Sequence, residues 1–338
     1  MPDDTRIAAG ERRMLVESVA SFRAGAIDDF AQDMDESPSS GRFDDAWNKL
    51  AELGLLAGLV CEESGGQGMD VYSFCLALVE LALGQAALAA AVLSQNVALW
   101  ALDIAGELDN AGGVDDFAGG ASRAAIAWPV EVGRSVFVPG GSTAGLLVLA
   151  SEEGAVMRTA QGDPTISVTE LDYPLGLRAC RPAVVKATGG EGLFAAPVVS
   201  AGAERAIESR LLLGVAAVAI GITRQGRDKA RAYAAERYQA GRMIIEHEQI
   251  RLMLAAMDQR LFLIASALER AALRERLDVA ECRSVKVTAC DSAMVSTTDA
   301  VQVHGGYGYM REYGVERLMR DAAYLRSYPR TRTALLLE

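Results

Sequence analysis

The chain has 338 residues, 51% of them hydrophobic, enough for two or three domains around a large core, and this excludes a disordered chain. Its 33 Lys and Arg against 45 Asp and Glu give a net charge of −12, so neither nucleic acid nor an anionic membrane is expected as partner. Five scattered cysteines without a C-x-x-C pair support neither a disulfide framework nor a zinc site.

Residues 11–24 carry Met14, Leu15, Val19 and Phe22 at helical spacing and predict an amphipathic helix. Pro38-Ser39-Ser40-Gly41 breaks the chain before a second helix from about Phe43 to Leu53, ended by Gly54. A glycine-rich loop, Glu63-Ser64-Gly65-Gly66-Gln67-Gly68, precedes an Ala/Leu-rich stretch over 71–102 that predicts one or two buried helices. From about Ala124 to Val199 short apolar runs (Val136–Val138, Leu146–Ala150, Ile166–Val168, Val184–Val185) alternate with Gly and Pro and read as strands of a small β domain. Helical periodicity returns from Ala203, near 204–237, 241–274 and 276–302, with a shorter segment after Val315. The order helices, strands, helices lacks βαβ alternation and argues against a doubly wound sheet. The expected division is 1–110 helical, 111–202 a reduced β domain and 203–338 a helical bundle: a mainly α protein with a small β domain. The N-terminus lacks a signal-peptide apolar region, and the longest apolar run, Leu211 to Ile222, falls short of the roughly 20 residues of a membrane span; a soluble cytoplasmic protein is expected.

Neither nucleotide-binding glycine fingerprint occurs, and the two histidines, His247 and His304, form no metal motif, so no metal is expected. No G-x-S-x-G elbow marks a nucleophilic serine. Two segments stand out. Tyr233 to Arg242, followed by Glu246-His247-Glu248-Gln249-Ile250, places Arg237, Gln239 and His247 around a turn at Gly241. Such a group suits a pyrophosphate, and equally describes a solvated helical hairpin with a surface ion pair. Gln302 to Tyr309 sets three glycines and two tyrosines after a helix. Glycines there permit close approach of a ligand or backbone, and equally describe a capped helix end.

Taken together, Glu236-Arg237-Tyr238-Gln239-Ala240-Gly241 and Gln302-Val303-His304-Gly305-Gly306-Tyr307-Gly308, continued by Val315-Glu316-Arg317-Leu318-Met319-Arg320-Asp321-Ala322, resemble the acyl-CoA dehydrogenase flavoenzymes. Leu50-Ala51-Glu52-Leu53-Gly54-Leu55 and Glu62 to Gly68 are similar to that family's N-terminal domain. The resemblance implies an N-terminal helical domain, a middle β domain and a C-terminal four-helix bundle. It also implies FAD shared between subunits, with one β domain holding the flavin and a neighbour's bundle holding the adenosine-diphosphate half. The implied reaction is α,β-dehydrogenation of an acyl-CoA, a glutamate taking the α-proton. Arg237, Gln239, His247, Gln302, Gly305 and Gly306 stand at positions that, by resemblance, cradle the adenosine-diphosphate half of FAD.

The departures cluster elsewhere. The family's Y-E-G-T segment, whose glutamate is the usual base, is here Tyr328-Pro329-Arg330-Thr331, and the alternative base position holds Leu211. Glu208, about one turn from Leu211, and Glu191 are the fallback carboxylates. The flavin-facing T-E-P and W-I-T segments survive only as Ala127-Trp128-Pro129 and Phe137-Val138-Pro139, and Ala240 replaces an aromatic residue. No catalytic residue is therefore assigned. The resemblance then implies a non-catalytic subunit of a hetero-oligomer, expected as α2β2, with a catalytic acyl-CoA dehydrogenase partner. Paired subunits of this kind act on steroid-like acyl-CoA side chains. A self-sufficient enzyme with a relocated glutamate and a flavin-free scaffold or acyl-CoA-binding module are the alternatives.

Overall fold

The computed structural model describes residues 9–151, 154–159, 162–188, 199 and 203–337. The fold is mainly helical with small sheets. The first part contains α1 (Ala9–Ala26), α2 (Ala31–Glu36), α3 (Arg42–Ala51), α4 (Val71–Gly84), α5 (Ala86–Ile104) and the short α6 (Asp115–Ala118). The Ala/Leu-rich stretch is two helices, broken at Gln85, whose extended backbone ends one helix while its side chain accepts from Ala87 N–H to start the next. That break is also a joint. Arg317, far along the chain, donates to Gln85 Oε1 at 3.1 Å and to the Gly84 carbonyl at 3.3 Å.

Strands β1 (Ala124–Ala127), β2 (Ser135–Val138), β3 (Leu146–Ser151), β4 (Gly154–Thr159), β5 (Ile166–Glu170) and β6 (Ala183–Ala187) follow. They form two three-stranded sheets, β1-β3-β4 and β2-β6-β5. The pairs are antiparallel except β1 with β3, which is parallel, Ala124 opposite Leu146. The period of two along β1 explains its complete burial: Ala125 and Ala127 face the second sheet, while Ala124 and Ile126 join the main helical core. Its open edge is satisfied by α5, where Gln95 Oε1 and Ser94 Oγ accept from Ala124 and Ile126 N–H. Strand β1 escapes a sequence reading because four small or branched residues give no alternation when both faces are covered.

The C-terminal part contains α7 (Glu204–Glu236), the hairpin strands β7 (Tyr238–Gln239) and β8 (Arg242–Met243), α8 (Glu248–Ala272), α9 (Val279–His304), α10 (Val315–Ser327) and α11 (Arg332–Leu337). Helix α7 packs on α4 and α9 through small residues; a Cβ on Gly221 would lie 2.5 Å from the Val79 carbonyl oxygen. The helix expected over 241–274 begins later than its periodicity indicates. Ala240 (φ +53) and Gly241 (φ +87) both turn left-handed, the signature of a tight two-residue hairpin, and the paired strands delay the helix to Glu248. Helices α5 and α7 are each long and apolar enough to cross a membrane, but 83% and 89% of those windows is buried inside the fold, which makes them core helices.

Candidate cofactor-binding site

At the far end of the bundle, the end of α7, the β7–β8 hairpin, the start of α8 and the end of α9 converge on a cavity of about 610 Å³. That volume lies within the roughly 300–1,000 Å³ usual for small-molecule sites. Arg237, Gln239, His247, Gln302, Gly305 and Gly306, distant in sequence, all line it, together with Tyr233, Ala240, Ile244, Ile250, His304, Tyr307 and Met310. No carboxylate is among the lining residues, although the chain as a whole is acidic.

Each residue arrives for a local reason. Arg237 is the C-cap of α7, its amide donating to the Tyr233 carbonyl at 2.9 Å, and its guanidinium lies 5.6 Å from the centre of the Tyr307 ring. Gly305 takes φ +59 and ψ −135, a conformation glycine adopts far more readily than residues with a Cβ, and so turns the chain sharply out of α9. A Cβ added at Gly305 or Gly306 would meet nothing within 4 Å, so their bare backbone borders open space. Gly308 differs: a Cβ there would collide with the Val301 carbonyl, so that glycine serves packing.

His247 lines the cavity and is also engaged by the hairpin. Its Nε2 lies 3.2 Å from the Gln239 carbonyl, and Arg242 Nε approaches Nδ1 at 3.3 Å. A carbonyl accepts and a guanidinium donates, so the ring is the neutral Nε2–H tautomer with both nitrogens engaged in the hairpin. His247 therefore holds Gln239 and Arg242 in place, and lines the cavity with its ring. Four aromatic rings also shape this end, and their mutual contact was not expected from the sequence. Tyr233 stacks on His304 at 4.4 Å, and Tyr313 packs edge-on against both, at 5.8 Å, and tilted on Tyr307 at 5.3 Å. Tyr307 and His304 lay inside the motif quoted above; nothing in the spacing of Tyr233 and Tyr313 links them.

The positions assigned to proton abstraction look different. Pro329 follows Tyr328, which is 2% exposed, and the Arg330 guanidinium lies 5.3 Å over the buried Trp128 ring. Lys286, itself buried, fixes this turn from below by donating to the carbonyls of Arg326 and Arg330 at 3.2 and 2.9 Å. Leu211 is fully buried. Glu208 is buried too, and Arg283 grips it in a fork, Nε to Oε1 at 2.7 Å and Nη2 to Oε2 at 3.1 Å. A general base needs a lone pair aimed at its substrate, and both oxygens of Glu208 already face a guanidinium. Glu191 lies outside the described residues.

Comparison with known proteins agrees with this architecture. Residues 9–109 match the acyl-CoA dehydrogenase N-terminal domain and residues 208–329 the acyl-CoA dehydrogenase C-terminal domain. Cyclohex-1-ene-1-carbonyl-CoA dehydrogenase of Syntrophus aciditrophicus is 28% identical over 95% of this chain and 87% of its own. The short-chain-specific acyl-CoA dehydrogenase of Clostridium acetobutylicum is 40% identical over 35% of this chain and 32% of its own. Among solved structures, glutaryl-CoA dehydrogenase of Mycobacterium smegmatis superposes with a TM-score of 0.85 at 21% identity, covering 99% of this chain and 94% of that one. Butyryl-CoA dehydrogenase of Megasphaera elsdenii gives 0.80 at 20% identity, covering 99% and 98%; at these identities the likeness is one of fold. With both terminal domains matched and the fold shared along nearly its whole length, the chain belongs to the acyl-CoA dehydrogenase family, whose members are FAD-dependent flavoproteins that oxidise acyl-CoA.

Proposed function

We propose that this chain is the non-catalytic subunit of a heteromeric, FAD-dependent acyl-CoA dehydrogenase, and that it supplies the adenosine-diphosphate half of the FAD site to a catalytic partner. The observation that carries the reading is the contrast between its two ends. A cavity free of carboxylates, with the Arg237 guanidinium and bare glycine backbone at its wall, fits a pyrophosphate linked to a nucleoside. The start of α8 borders the same cavity through His247 and Ile250. At the other end stand Pro329, Leu211 and an arginine-locked Glu208 where the reaction needs a base.

The bound flavin would supply the hydride acceptor. This chain's own part is to bind and orient: Arg237 neutralises phosphate charge, Gln239 and Gln302 offer amides, and His247 keeps the hairpin closed. The proton is removed by a glutamate of the partner. An α2β2 assembly is the arrangement we assign, with a steroid-like acyl-CoA as the substrate class carried over from paired subunits of this kind. Exposed Leu252, Phe262 and Leu263 on α8 and Val295 on α9 are the apolar surface such an assembly would cover.

The test is purification of the chain alone and together with a candidate catalytic acyl-CoA dehydrogenase subunit that carries an intact base glutamate, each assayed with a dye acceptor. The chain alone is expected to be colourless and inactive, and the pair yellow and active. Robust turnover by the chain alone, abolished by Glu208→Gln, would overturn the reading in favour of a relocated base. Absence of flavin from both preparations would favour a scaffold.

A further inference from the structure

His304 closes α9, is only 4% exposed, and still contributes to the wall of the bundle-tip cavity. Its ring has little freedom. Tyr233 stacks on one face at 4.4 Å, and Tyr313 meets it edge-on at 5.8 Å. Nδ1 lies 2.8 Å from the carbonyl of Ala300, one turn back in the helix. A carbonyl can only accept, so Nδ1 carries the ring proton and Nε2 is a bare lone pair. Burial, with the charge of Lys229 nearby, holds the ring below the ordinary imidazole range, which keeps it neutral at neutral pH. Among the described residues no group donates to Nε2. Nε2 is not among the buried side-chain atoms that lack a partner, so it keeps contact with open space where His304 lines the cavity.

An acceptor is the wrong partner for a phosphate, whose oxygens also accept; it needs a hydroxyl or an amino group. The cavity thus offers two chemistries, a guanidinium at Arg237 for anionic oxygen and a lone pair at His304 for a donor. Adenosine diphosphate carries both. We propose that His304 Nε2 is a nucleoside-recognising acceptor, taking a hydrogen bond from a ribose hydroxyl or the adenine amino group of the adenosine-diphosphate half of FAD. The inference rests on the proposed function of the cavity and assigns a polarity within it: phosphates toward Arg237, nucleoside toward His304. A purely structural His304 would leave ligand selectivity untouched, since its stacking and its Ala300 bond are both internal.

The experiment is binding of ADP, 2′-deoxy-ADP, 3′-deoxy-ADP and inosine diphosphate to the full chain, by ligand-observed NMR sensitive to millimolar affinity. One neutral hydrogen bond corresponds to about a two- to tenfold change in affinity. Wild type is expected to favour ADP by that factor over the analogue lacking the contacted donor: a deoxy analogue if the donor is a hydroxyl, inosine diphosphate if it is the amine. His304→Phe, which keeps the stack, should bind ADP more weakly by the same factor and no longer discriminate. His304→Gln, whose amide oxygen can accept, should restore part of the preference. Equal binding of all four ligands by wild type overturns the inference without any variant, as does a preference that persists in His304→Phe. The two readings fail separately. No ADP binding by wild type overturns both, whereas binding weakened by Arg237→Ala but indifferent to His304 overturns this one alone.

Discussion

Arg237 is the residue on which cofactor retention should depend most. A charge-assisted contact with a phosphate is worth roughly 1.5–3 kcal/mol, or about a ten- to hundredfold change in affinity. Arg237→Ala in the assembled enzyme is expected to lose FAD by that factor, read by flavin fluorescence on dilution, with substrate affinity little changed. The matched control is Arg330→Ala, whose guanidinium packs on Trp128 away from the cavity residues and should leave flavin retention intact. Loss of flavin in the control and not in Arg237→Ala would refute the division of the site. His304 makes a second residue-scale prediction. Its folded pKa is depressed from 6.5, by burial first and Lys229 second, against the opposing Ala300 bond. On acidification the unfolded chain therefore takes up this proton before the folded one. The stability contributed by the neutral ring is complete above about pH 6.5 and declines as pH falls below it. His304→Gln removes that titration, so the stability gap between wild type and variant should narrow between pH 7 and pH 5 in urea melts. A constant gap would show that the ring does not titrate abnormally.

Among the elements, α7 decides how closely the N-terminal helices and the bundle approach. Of its three glycines, Gly214 and Gly221 leave no room for a Cβ, with different kinds of atoms opposite. A Cβ on Gly221 would lie 2.5 Å from the Val79 carbonyl and 2.6 Å from Ala82 Cβ, whereas one on Gly214 would meet the terminal methyls of Leu93. Backbone cannot give way, and a leucine tip can change rotamer. Gly221→Ala should therefore destabilise by about 1–3 kcal/mol, overpacking exceeding the helix-propensity gain of about 1 kcal/mol. Gly214→Ala should be close to neutral. Thermal melts of both variants check the order, and a larger loss at Gly214 would show that Leu93 is the less yielding neighbour. The hairpin between α7 and α8 is the other element that matters, because it carries Gln239 and Ala240 into the cavity wall.

For the whole molecule, the proposal requires the bundle tip to be an interface. Residues kept for another subunit's cofactor must face that subunit, so amide exchange in 237–247 and 302–310 should slow on assembly and slow further with FAD. These stretches include the exposed Tyr238, Tyr307 and Tyr309, which solvent reaches freely in the single chain. Unchanged exchange there, with protection appearing elsewhere, would remove the bundle tip from the subunit contact.

The sequence by itself determined the class of fold, because a mainly helical chain with a short strand-rich middle is written in local periodicity, and α1, α3, α7 and α9 follow apolar spacing that needs no neighbour to be recognised. It also determined which residues to watch, since Arg237, Gln239, His247, Gln302, Gly305 and Gly306 stood in two motifs of matched spacing. Tertiary structure decided the rest. It brought those motifs, about 65 residues apart, onto one cavity through the antiparallel packing of α7, α8 and α9. Packing turned His247 inward on the hairpin and set Arg283 on Glu208, because the partner of a charged or imidazole side chain is fixed by which helix lies opposite and not by its neighbours in sequence. It also revealed the lone pair of His304, whose environment exists only once Tyr233 and Tyr313, from separate helices and turns, close around the ring.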